Sequence, residues 1–148
     1  MQIARQSVTG HGDRVSGLAA HTMWAEHLLR DEDFPADDLP TLRERFNVHD
    51  NAVGTVAEGR WYGSEFLGQM ARRMSGMAEA FYAAAACGAA EHDLMWRVWG
   101  LNGLDRTDEN ARKLADPEVR RQIVPTILQA RDKYEEAIGH LERGLAKG

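Results

Sequence analysis

Six histidines (His11, His21, His27, His49, His92 and His140) and one cysteine, Cys87, are the side chains of this sequence best suited to ligate a metal or act as nucleophile or base. A metal-binding helical bundle needs imidazoles and carboxylates at matched depths on facing helices, as in the Glu-x-x-His pairs of di-iron proteins. That spacing does not occur. Glu26-His27 and Glu91-His92 are adjacent pairs, so on a helix their side chains diverge by about 100°. Cys87 lies close to Ala80 and Ala84 in an apolar stretch and reads as a buried, inert thiol. No serine triad can be assembled from the spacing, and no glycine-rich phosphate loop is present.

Three short patches resemble the HD-domain phosphohydrolases. Ser7-Val8 followed by His11 and Val15 is similar to that family's first histidine helix, Val48-His49-Asp50 to its eponymous dipeptide, and Lys113-Leu114-Ala115-Asp116 to its last ligand segment. The resemblance implies that His11, His49, Asp50 and Asp116 bind a divalent cation that polarises a phosphate and activates water. Read as bare residues, the same four are loop and cap positions. A second resemblance lies at Trp61-Tyr62-Gly63-Ser64-Glu65-Phe66, which is similar to the helix-turn-helix corner of WXG-type secreted proteins. This resemblance implies a non-enzymatic hairpin that pairs with a partner. The family's Tyr-x-x-x-Asp/Glu signal is absent, since Ala86 stands four places after Tyr82.

Bulky apolar residues supply another candidate site. Trp61, Met70, Met74, Met77, Phe81, Trp96 and Trp99 would give a pliable, polarizable lining for an apolar small molecule or a partner helix. The same residues also suit ordinary core packing or an oligomer interface.

The elements that must carry these residues read as helices. Val15, Leu18, Thr22, Ala25 and Leu29 fall on one face, with His21, Trp24 and Leu28 on its shoulder and His27 opposite. The acidic, proline-containing segment 31–40 is a loop. Thr41 to Glu44 has the form of a capping box and starts a helix carrying Leu42 and Phe46 inward, with an interruption near His49 and a terminator at Gly59. From Ser64 to Ala90 the residues Leu67, Met70, Met74, Met77, Phe81, Ala84 and Gly88 recur at spacings of three and four. This is the expected central helix, with small residues on its flanks that admit a neighbouring backbone, clasped by the first and last helices.

A short helix through Leu94, Val98 and Leu101 should stop at Asn102-Gly103, and a one- or two-turn helix should lie between Asp105 and Ala115. Asp116-Pro117-Glu118 opens the last helix, to about Gly144, which buries Ile123, Ile127, Ala130, Tyr134, Ile138, Leu141 and Leu145 and kinks or restarts at Pro125.

The chain has 148 residues, 43% of them hydrophobic and 28% charged, enough for one core and too few for two domains. The expectation is a single all-α bundle of about five helices spanning 1–148, with 1–12 as a flexible lead-in. A net charge of -5 with scattered basic residues argues against nucleic acid and anionic membranes as partners. The start of the sequence lacks the pattern of a secretory signal, which makes the cytoplasm the expected location. The sequence therefore points to a non-catalytic helical binding module that recognises a protein partner, a second copy of itself or a hydrophobic small molecule. The alternative is a small metal-dependent phosphohydrolase.

Overall fold

The computed structural model describes residues 15–147. Helices α1 (Gly17–Leu28), α2 (Leu39–Arg73), α3 (Ala78–Asn102), α4 (Asp108–Lys113) and α5 (Pro117–Lys147) form an all-α bundle. Short 3-10 turns occupy Asp31–Asp33 and Ser75–Met77. His11 and the lead-in at 1–12 lie outside the described residues. No described helix is long and apolar enough to cross a membrane.

The alanine-rich α3 is central, packed along α2 on one side and α5 on the other, while α1 lies on α5 and α4 on α2. The expected clasp by the first and last helices is therefore corrected to one by α2 and α5. The core joins Leu42, Phe46 and Val53 of α2 to Met95 and Val98 of α3 and Ile123 and Ile127 of α5. Small residues let α2 and α3 close up, as expected: a Cβ at Gly88 would sit 3.4 Å from the Arg60 carbonyl, and Ser64 Oγ donates to the Ala85 carbonyl at 2.8 Å.

Several element boundaries differ from the sequence reading. On α1 the buried face runs through His21, Ala25 and Leu28, and Leu29 is exposed, so the stripe is rotated by about one residue. Asp38, not Thr41, caps α2: its carboxylate accepts from the Thr41 amide and hydroxyl. The helix then continues through His49, Gly54, Gly59 and Gly63 to Arg73. Trp61-Tyr62-Gly63 is thus helical and makes no hairpin corner.

The expected helix 64–90 is in fact two. The chain leaves α2 at Met74, turns through Ser75–Met77 and starts α3 at Ala78, which absorbs the short helix expected after it. Asn102-Gly103 does end it. α4 falls where expected, and Asp116 caps α5 by accepting from the Glu118 amide at 2.8 Å. α5 passes through Pro125 without a restart and buries Ile123, Ile127, Ala130 and Ile138; Leu145 is exposed.

Candidate functional site

The site begins with an ion pair whose carboxylate is buried and whose guanidinium is partly exposed. Glu91 of α3 is 1% exposed, and its Oε2 lies 2.6 Å from Arg60 Nε while Oε1 lies 3.3 Å from His21 Nε2. The Arg60 guanidinium also stacks 3.8 Å above the Tyr134 ring. A carboxylate removed from water needs such partners, because an unpaired buried charge costs several kcal/mol. The ion pair turns Arg60 and Glu91 inward, and residues one place along a helix point about 100° away. Trp61 and His92 accordingly face outward together, with ring centroids 5.3 Å apart.

His92 organises the surface around it. Its Nδ1–H donates to the Ala57 carbonyl at 2.9 Å, which leaves the Nε2 lone pair to accept from the Trp96 indole at 2.9 Å. Trp96 meets Trp99 edge to face at 4.9 Å between centroids. Glu58, Trp61, Tyr62, His92 and Trp96 line an open depression of about 230 Å³. Trp61 is 48% exposed, Tyr62 70% and Trp96 51%, and Phe66 continues the exposed aromatic row along α2.

The seven expected ligand-binding residues divide between two regions. Trp61 and Trp96 line the depression, and Trp99 sits half-buried behind Trp96, its indole donating to Asp50 Oδ1 at 2.9 Å. Met70 is half-buried near the end of α2, Met74 and Met77 stand at the turn, and Phe81 is in the first turn of α3. Tyr62, His92 and Glu58 were missed; nothing in their spacing distinguishes them from an ordinary solvated helix face.

His49 and Asp50 are buried on α2 but already engaged. The Trp24 indole donates to His49 Nδ1 at 3.1 Å. The other ring nitrogen faces the Asn102 side chain, and neither Nε2 nor Asn102 Oδ1 has an aligned hydrogen-bond partner. Burial holds the His49 pKa down at about 4, against weaker opposing pulls from Asn102 and Asp50. Asp50 Oδ2 accepts from Arg106 at 3.0 Å, and Asp116 caps α5. Among the described residues, His49, Asp50 and Asp116 do not gather into a ligand set.

A separate apolar cleft of about 310 Å³ lies between α1 and α2, lined by Met23, Trp24, Leu28, Phe34, Val48 and His49 among others. Val15 also lines it. Cys87 is buried on α3, as expected. Burial first, and then the Glu136 carboxylate, push its thiol above the ordinary range, which disfavours a free thiolate nucleophile.

No protein-family model, curated protein or solved structure matches this chain.

Proposed function

We propose that this protein is a non-catalytic helical binding module that recognises a protein partner through the aromatic surface around Trp61 and Trp96. The observation that carries this reading is the exposed set Trp61, Tyr62 and Trp96, grouped around one depression and held by His92 and the buried Arg60–Glu91 pair. Exposed aromatic clusters mark interaction sites, and tryptophan and tyrosine dominate binding hot spots.

The chemistry of the depression suits a basic side chain of the partner. The aromatic faces attract a guanidinium or ammonium and accept its aliphatic stem, and Glu58 on the rim supplies a counter-charge. A net charge of -5 steers the same kind of partner toward the surface.

Isothermal titration with an arginine- and lysine-rich peptide tests the reading. Trp61→Ala and Trp96→Ala are each expected to cost about 2 kcal/mol, roughly a thirty-fold rise in Kd. Binding that both variants leave unchanged would refute it.

A second reading, an apolar small molecule between α1 and α2, has the cleft walled by Trp24 and Phe34 in its favour. Native mass spectrometry separates the two: a retained ligand lost in Phe34→Ala, with the aromatic-surface variants silent, would favour the cleft.

A further inference from the structure

One cluster of chemically active side chains lies away from the aromatic surface, where α3 meets α5. Glu136 and His140 are four residues apart on α5 and so share a face, one turn from each other. Cys87 of α3 faces them. One potential ligand atom from each of Cys87, Glu136 and His140 lies within 4.8 Å of the other two.

We propose that Cys87, Glu136 and His140 form a binding site for a borderline-soft divalent cation of the zinc type. Thiolate sulfur, imidazole nitrogen and carboxylate oxygen are the donors such an ion selects, and three protein ligands leave a fourth tetrahedral position for water or an outside ligand. The spacing is compatible with closure onto one ion through small side-chain movements.

Two further observations point to this use. Lys133 Nζ holds Glu136 Oε2 at 2.6 Å, while Oε1 faces His140 Nε2 at 3.8 Å. The carboxylate is thus already oriented by an outer partner, as ligating carboxylates usually are, with its other oxygen on the ligand side. His140 also lines a cavity of about 140 Å³ with Met77, Ala80, Ala83, Arg143 and Gly144 among its other walls, which gives a fourth ligand room beside the imidazole. Binding requires no oxidant: the sulfur–hydrogen bond breaks as the metal–sulfur bond forms, and the proton leaves to solvent.

Cobalt(II), which reports a thiolate ligand by a near-ultraviolet charge-transfer band, is titrated into the tag-free full chain and then displaced with zinc. The expected result is saturable binding with that band, loss of the band in Cys87→Ser, and affinity lowered roughly ten-fold or more in both Glu136→Gln and His140→Ala. Far-ultraviolet circular dichroism checks that each variant is folded. The two α5 variants alter partly exposed side chains, so they keep the test decisive if Cys87→Ser does not fold. Absence of a thiolate band in the wild-type chain, or cobalt affinity unchanged in both α5 variants, would overturn the site. Cobalt held without that band and lost in His49→Ala would also overturn it, and would favour the histidine–aspartate set of α2.

Discussion

The Glu91 carboxylate meets Arg60 Nε at 2.6 Å in the interior of the bundle, and each residue is followed in sequence by a ring that faces outward, His92 and Trp61. The pair thus joins α2 to α3 directly beneath the aromatic surface. Removing one member of such a pair strands the other, whereas replacing both with apolar residues relieves the desolvation cost of the pair and leaves only His21, 3.3 Å from Glu91, without its contact.

Glu91→Gln is therefore expected to lower stability by about 2 kcal/mol in urea denaturation, since Arg60 keeps some access to solvent, and the double variant Arg60→Met/Glu91→Leu to recover part of that loss. A single variant within about half a kcal/mol of wild type would show that the pair is incidental.

His49 makes stability depend on pH. The unfolded chain takes up this proton near 6.5, whereas the folded chain resists it until about 4 because the ring is buried. The unfolded state binds more protons across that window, so stability rises with pH between about 4 and 6.5 and is complete above it. On acidification the loss approaches about 1.4 kcal/mol per pH unit and sums to about 3 kcal/mol. Other groups titrate in the same range, so the test is the difference between wild type and His49→Gln in urea melts from pH 7 to pH 4. That difference should narrow as pH falls; a difference independent of pH would contradict the assignment.

Gly103 ends α3 at φ +88°, and a Cβ there would overlap the Asn110 carboxamide. Gly103→Ala should cost about 2 kcal/mol or more from backbone strain and collision together. Gly100 lies within the last turns of α3, and a Cβ added there would meet nothing within 4 Å. Gly100→Ala should therefore raise stability by about 0.5 kcal/mol through helix propensity. Thermal melts of the two variants should move in opposite directions.

Much of the architecture was legible because local signals agreed with packing. The Asp116-Pro117 start, the stop at Asn102-Gly103 and the Ile123, Ile127, Ala130 and Ile138 stripe all occur as the sequence implies. Gly59 and Gly63 misled because a helical glycine costs only about 1 kcal/mol, which packing of α2 on α3 readily offsets. The turn at 74–77 was hidden by an apolar period that continues across it, although Arg72-Arg73 ahead of Ser75-Gly76 has the form of a helix end. Sequence adjacency already placed Glu91 and His92 on different faces; which one is buried depended on Arg60 and His21, partners 31 and 70 residues away. Glu136 and His140 stand four apart on the last helix, a spacing the sequence reading passed over, and only the fold brings Cys87 to them.

A basic partner that docks on the Trp61–Trp96 surface would be reported by the indole N–H signals of the two rings. In a nuclear magnetic resonance titration of the full chain with an arginine- and lysine-rich peptide, the Trp61 and Trp96 indole signals should shift saturably. That of Trp24, whose indole is bonded to His49, should stay nearly fixed, and that of Trp99, which packs against Trp96, should follow with a smaller shift. No shift at Trp61 and Trp96, or shifts confined to Trp24, would rule out docking on that surface.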